Sequence, residues 1–297
     1  MERAIVEVGI QVLVDDNAGH GFLLGEHGFS ALVTVSYDDS SEFKFLYDTG
    51  GGTPALEYNL KVMEVDLSSI EMIILSHGHY DHSAGLLKVI GVIGKPVPVL
   101  LHPNALLHKI YTSDDGRRHE IGIHRNYDES ELAARTKIIS DTEPYTVTDG
   151  VMTTGIVKRK NDFEVLTGVL KKIVTVHEGI ETPDMIEDDI SVIFHMKDDS
   201  LVILTGCCHS GIVNTIEHAI KLTGSSSKIG IVGGLHLHDA SDLRMEKTVD
   251  RLKGYSYTKL AACHCTGLRG RAALMHAFGE SFKDITAGST LKFTVGQ

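Results

Sequence analysis

The sequence predicts an α/β fold from three observations. Apolar runs of strand length alternate with segments whose apolar residues recur at helical spacing, polar or glycine-rich loops join them, and a hairpin stands in each half of the chain. In the first half, Ala31–Tyr37 and Glu42–Tyr47 flank Asp38-Asp39-Ser40-Ser41 as a hairpin. Asp48-Thr49-Gly50-Gly51-Gly52 then leads into a helix expected from Pro54 to Met63, and the apolar run from Ile70 to Leu75 is expected as a strand. Ser83 to Ile90 reads as a helix start, and Pro96 to His102 as another strand. From Thr112 to Asp128 the chain is polar and charged, which predicts a loop or lid inserted around residues 105–185. In the second half, Ile190–His195 and Leu201–Leu204 flank Asp198-Asp199-Ser200 as a second hairpin. Three strand-loop-helix units follow: Leu201–Gly206 into a helix from Ile212, Lys228–His236 into Asp242–Lys253, and Lys259–Cys265 into a helix from Leu268.

Composition sets the outer limits. With 42% hydrophobic residues in 297, the chain can bury a sizeable core, and residues 1–297 are expected to form one domain. Glu2 and Glu7 interrupt the apolar residues at the start, so neither a secretory signal nor a membrane span is expected. The four cysteines fall as Cys207-Cys208 and Cys263-x-Cys265, spacings unlike a disulfide framework or paired C-x-x-C knuckles, and a reducing cytoplasmic setting follows. A net charge of −12 argues against a nucleic-acid partner, because phosphate backbones are bound through Lys and Arg. The expected partner is a small molecule, with a homo-oligomer allowed by the composition.

The chemistry is concentrated in His77-Gly78-His79-Tyr80-Asp81-His82. Imidazole and carboxylate are the donors that borderline divalent ions prefer, and one ion cannot easily take all four from so short a segment. Two ions side by side are therefore expected. If the preceding run is a strand, His77 and His79 leave it on the same side, whereas Asp81 and His82 belong to the turn that follows. Loops at the carboxyl ends of strands are where open sheets place their sites.

The segment Ser76 to Gly85 resembles the H-x-H-x-D-H signature of the metallo-β-lactamase fold, which implies a four-layer αββα sandwich. Longer stretches, namely Gly21–Ser30, Leu204–Thr215, Gly233–Leu237 and His264–Gly267, are similar to the group typified by 7,8-dihydropterin-6-yl-methyl-4-(β-D-ribofuranosyl)aminobenzene-5′-phosphate synthases. That resemblance spans most of the chain apart from about His102 to Asp189. Within the gap, Thr154-Gly155-Ile156-Val157-Lys158-Arg159 is only loosely similar.

The remaining ligands are sought at other strand ends. His209 is expected to complete the ion held by His77 and His79, and His264 the ion held by Asp81 and His82. Cys207 follows a Thr-Gly pair where related folds often place a bridging Asp or a zinc-bound Cys, so it is expected as a ligand, a supporting residue or simply a packed one. His236 is expected as a ligand, a substrate-binding group or a catalytic one beside Asp81. His27, His236 and Thr266 are the substrate-binding candidates. His102, His108, His119, His124 and His218 lie off the pattern and are expected to be structural or exposed.

Two divalent ions, expected as Zn2+ with Fe or Mn as alternatives, would acidify a bridging water and polarise the oxygen under attack. Hydrolysis of an ester, lactone or phosphoester in a small anionic substrate is the leading expectation. Helix N-termini near Ser83, Ser210 and Thr266 would favour the anion. The alternative is a transferase of the dihydropterin synthase type, in which the ions clamp a diphosphate leaving group while an arene displaces it. A third is a di-iron redox or oxygen-handling protein, disfavoured by His79 at a position where such relatives usually carry a carboxylate.

Overall fold

Alternation along the strands sets the layers. In the strand Glu42–Tyr47, Phe45 and Tyr47 join one apolar cluster and Leu46 joins another, and all three are fully buried. A sheet with both faces buried needs cover on both sides. The computed structural model, which describes residues 3–19, 21–225 and 227–296, supplies it as a four-layer αββα sandwich.

The first sheet has seven strands in the order Thr290–Thr294, Ile5–Val14, Ser30–Tyr37, Glu42–Tyr47, Met72–Ile74, Val99–Leu101 and Ile138–Ser140. Its hairpin pairs antiparallel, whereas the three pairings after Glu42–Tyr47 are parallel. The second sheet, also of seven strands, runs Phe282–Asp284, Tyr257–Cys263, Ile229–Gly234, Leu201–Thr205, Val192–His195, Val151–Thr153 and Thr146–Thr148. Parallel pairing again follows the hairpin, so several strands in each sheet end at the same edge.

The sheets meet through Val33, Phe45 and Tyr47 on one side and Phe194, Val202 and Val232 on the other. The rings of Phe45 and Phe194 stack across this interface with centroids 6.2 Å apart. Outside the first sheet, helices Ala55–Val62 and Leu86–Ile93 bury Leu56, Leu60, Leu86 and Val89. Outside the second, helices Ile212–Thr223, Asp242–Leu252 and Gly267–Phe278 bury Ile212, Ile216, Met245, Leu252 and Leu274.

The stretch around 105–185, expected as a loop or lid, is divided between the sandwich and an addition to it. Ile138–Ser140 is an edge strand of the first sheet, while Thr146–Thr148 and Val151–Thr153 form the edge of the second. The rest contributes a small antiparallel sheet, Ile180–Pro183, Ile173–His177, His108–Thr112 and Arg118–Glu120, whose Ile173 packs with Leu170 and Ile186. Its polar exterior explains why the sequence there resembles a loop.

The helix expected from Ser83 is also different. A single turn spans Tyr80–Ser83, and the next helix begins at Leu86 after Gly85. Gly85 lies against the Thr49 backbone, where a Cβ would come within 2.0 Å of the carbonyl oxygen, so close packing rather than helical periodicity governs this point. Among the described residues, no helix is long and apolar enough to cross a membrane.

Phe194→Ala removes one half of the inter-sheet stack and is expected to cost about 3–5 kcal/mol of stability. Denaturant unfolding measures it, and a loss below about 1 kcal/mol would contradict the packing described.

Candidate metal centre and active site

The strand ends deliver the donors to one place. The His77–His82 loop follows Met72–Ile74, Cys207 and His209 follow Leu201–Thr205, His236 follows Ile229–Gly234, and His264 follows Tyr257–Cys263. Backbone at Asp48, Cys208, His236 and His264 adopts positive φ of 58°, 60°, 46° and 46°. Such conformations cost a non-glycine residue roughly 1 kcal/mol or more, and they cluster where a fold holds functional groups in place.

Two adjoining donor sets result. His77, His79 and His209 form one, and Asp81, His82, Cys207 and His264 form the other, all of them buried. His77 Nε2 lies 2.9 Å from His79 Nδ1 and 3.2 Å from His209 Nε2. Burial, reinforced by the neighbouring imidazoles, holds His77 and His209 well below the usual histidine range. Burial likewise lowers His79 to about 4. Three neutral imidazoles therefore aim lone pairs into a common space, and a cation satisfies all three where a proton satisfies at most two. This set fits a divalent ion.

The second set carries charge. Asp81 Oδ2 lies 3.5 Å from the Nε2 atoms of His27, His82 and His264. Cys207 Sγ is 3.2 Å from His82 Nε2 and 3.3 Å from His264 Nε2. Burial pulls His82 down, but Asp48 and Asp81 outweigh it and raise the group to about 9. Burial works to raise Asp81, yet His82 and His264 hold it well below the carboxylate range. Without a cation, protons on His82 and His264 balance the carboxylates.

Carboxylates behind the donors fix the rings. Asp48 Oδ2 accepts from His82 Nδ1 at 2.7 Å and from Ser76 Oγ at 2.7 Å, while its Oδ1 accepts from the Ser76 amide at 2.7 Å. Asp16 Oδ1 pairs with His264 Nδ1 at 2.7 Å, and Asp15 Oδ1 accepts from the His264 amide at 2.6 Å. Each pairing turns Nε2 inward, an arrangement that fixes tautomer and ring orientation in metal sites. Arg159 holds His209 through its backbone, donating to the carbonyl at 3.1 Å.

The small sheet is clamped to the same loop. Lys109, wholly buried, donates to Asp184 Oδ2 at 2.8 Å and Asp188 Oδ1 at 2.9 Å, and Asp188 Oδ2 accepts from the Gly78 amide at 2.8 Å. Above the donors lies a cavity of about 300 Å³ whose apolar wall is Tyr111, Ile121, Val169, Leu170 and Ile173. His236 is buried on its edge with both ring nitrogens unpartnered.

A model of the family described as the metallo-beta-lactamase superfamily matches residues 26–184, over half of the sequence. The chain belongs to the metallo-beta-lactamase superfamily. Among its relatives, the 7,8-dihydropterin-6-methyl-4-(beta-D-ribofuranosyl)-aminobenzene-5'-phosphate synthase of Methanocaldococcus jannaschii is 28% identical over 288 residues, 96% of this chain and 97% of the relative. An uncharacterized protein of the same organism is 32% identical over 269 residues, 89% of this chain and 93% of the relative. Among solved structures, a metal-dependent hydrolase of the beta-lactamase superfamily superposes with a TM-score of 0.78 at 28% identity, covering 97% of this chain and 99% of that one. A diphosphatase shares the fold with a TM-score of 0.52 at 14% identity, covering 97% and 98%.

Within this superfamily fold, the structure brings together His77, His79 and His209, and separately Asp81, His82 and His264, in the groupings expected from the sequence, and it adds Cys207 to the second. His27 and His236 border the cavity. Thr266 does not: it is fully buried, and its hydroxyl accepts from the Leu235 amide at 3.0 Å, which corrects its expected contact with substrate. The expected anion site at helix N-termini also needs correction. Ser83 ends a turn, the Ser210 amide points to Asp189, and the buried carboxylate of Glu164 takes the amides of Val213 and Asn214. Of the histidines set aside, His102 caps a short helical turn, His108 stacks on His124, His119 stacks on Tyr111, and His218 bonds to the Thr154 carbonyl.

Asp15, Asp16, Asp48, Lys109, Arg159 and Asp188 escaped the sequence reading. Asp15-Asp16 and Asp48 carried one usable signal, an acidic residue directly after a buried strand.

Asp48→Asn should weaken metal binding about 10–100-fold while the protein stays folded, as competition with a chelator would report. Unaltered affinity would remove Asp48 from the account. The metal-free protein should also be most stable near pH 6.5. His79, lowered to about 4, contributes stability that is lost as pH falls from 6.5 towards 4, and His82, raised to about 9, contributes stability that is lost as pH rises from 6.5 through 9. A melting temperature that stays flat across this range in chelator would contradict both assignments.

Proposed function

We propose that this superfamily enzyme is a metal-dependent hydrolase that cleaves an ester, lactone or phosphoester bond in a small anionic substrate. The observation that carries the reading is the pair of adjoining donor sets at the floor of one cavity. His77, His79 and His209 would hold one divalent ion, and Asp81, His82, Cys207 and His264 the other, with Zn2+ the metal that nitrogen and sulfur donors favour. Bound there, the ions would supply Lewis acidity at the bond being broken and a more acidic water.

The chain's own groups do the rest. Among the described residues, no Lys or Arg lines the cavity, so the substrate's anionic end depends on the metal region for its counter-charge. The apolar wall of the small sheet receives the organic portion and excludes water. His236, with its ring centroid 4.4 Å from that of His209, borders the cavity and positions the substrate's leaving end. His27, bonded to Asp16 and facing Asp81, orients the substrate from the opposite rim. The four cysteines are free and buried, which suits the cytoplasm.

A second reading has its own support. The near end-to-end match to the Methanocaldococcus synthase favours transfer, in which the carbon–oxygen bond to a diphosphate breaks as the nitrogen of an aromatic amine attacks that carbon and an amine proton leaves. The apolar wall would then receive the two organic partners.

Zinc-loaded protein assayed on phosphoester, lactone and ester substrates in 18O-labelled water separates the readings. Hydrolysis puts one solvent oxygen into the product, and His79→Ala and His264→Ala lower kcat/KM at least about 100-fold. Unchanged turnover in either variant would contradict the site. Release of diphosphate that requires an aromatic amine, with no solvent oxygen incorporated, would replace hydrolysis with transfer.

A further inference from the structure

We propose that Cys207, His236 and Cys265 form a third cation site, suited to a thiophilic ion such as Zn2+ and opening onto the cavity beside the paired centre. Their donor atoms lie within 4.8 Å of one another, and all three side chains are buried. Among the described residues, neither ring nitrogen of His236 has a hydrogen-bond partner, although the residue is only 5% exposed. A buried imidazole without partners carries a desolvation cost that a cation offsets.

The backbone is shaped around this cluster. His236 adopts φ of 46°, a strained conformation for a residue with a side chain. Two residues earlier, a Cβ on Gly234 would lie 2.3 Å from the Gly206 carbonyl oxygen and 2.6 Å from Cys265 Sγ, so glycine there admits both the neighbouring strand end and the thiol. Cys265 donates to the Cys207 carbonyl at 3.4 Å, and its sulfur lies within reach of the same ion as Cys207 Sγ and the His236 ring. Its neighbour two positions back, Cys263, packs instead in the core between the sheets.

Two sulfurs and one imidazole select zinc-like ions over magnesium or calcium. Three protein donors leave a fourth position, and all three residues line the cavity, so that position faces the substrate. Cys207 belongs to both the second donor set and this one, and its thiolate would bridge them. The role follows from the cavity's lack of Lys and Arg: a third cation adds positive charge for a substrate with more than one anionic group. The inference rests on the paired-site reading only through Cys207.

Metal-free protein reloaded with excess Zn2+ and freed of unbound ion should contain three ions per chain by inductively coupled plasma mass spectrometry. Cys265→Ser and His236→Gln should each contain two, and so should His79→Ala, which empties a different position. Peptide mapping after iodoacetamide treatment gives a second readout that needs no variant: zinc should slow alkylation of Cys265 in the wild-type chain at least tenfold. Two ions in the wild-type chain, with Cys265 alkylated as fast with zinc as without, would overturn the third site and leave the pair standing. Zero or one ion would overturn the pair as well.

Discussion

The buried carboxylate of Asp48 fixes the geometry on which the site depends. It sits at the end of the strand Glu42–Tyr47 and reaches the loop after Met72–Ile74, accepting hydrogen bonds from the Ser76 amide, the Ser76 hydroxyl and His82 Nδ1. An unpaired carboxylate so placed would be strongly destabilising, so the three partners must be present for the strand end and the loop to be buried together. With Nδ1 occupied, His82 turns Nε2 inward, where it meets Cys207 and His264 from the second sheet. The packing of the two sheets thus brings the donors together.

The same logic recurs around the site. Asp16 does for His264 what Asp48 does for His82, from the end of the first strand. Asp188, neutralised by Lys109, holds the Gly78 amide and with it the spacing of His77 and His79. Gly78 also lies against Ala105, where a Cβ would meet the carbonyl at 2.3 Å, so the loop has little freedom to relax. Electrostatically, the two sets differ: His77, His79 and His209 are held neutral by burial, while against burial His82 is held charged by Asp48 and Asp81, and His264 by Cys265, Asp16 and Asp81. Metal loading would fill the first set directly and displace protons from the second.

Much of this was legible in the sequence because it is local. Period-two alternation in Glu42–Tyr47 and the helical spacing of Ile212–Thr223 report the layers, and the His77–His82 segment reports metal chemistry by density alone. The small sheet was not legible: His108–Thr112 pairs with Ile173–His177 across more than sixty residues, and its polar outer face reads as loop. Asp16 lies 248 positions from His264, and Lys109 lies 79 from Asp188, so no window of sequence connects them. Thr266 was misread because its neighbourhood is a site while its own hydroxyl serves the Leu235 backbone.

The most direct measurement is anomalous diffraction at the zinc edge from crystals of the zinc-loaded chain. Besides the ion at Cys207, His236 and Cys265, the account predicts one peak among His77, His79 and His209 and another among Asp81, His82, Cys207 and His264, with Asp48 and Asp16 still bonded to the far side of their histidines. A zinc-loaded crystal lacking either peak, or with His82 rotated away from Asp48 to bind, would contradict it.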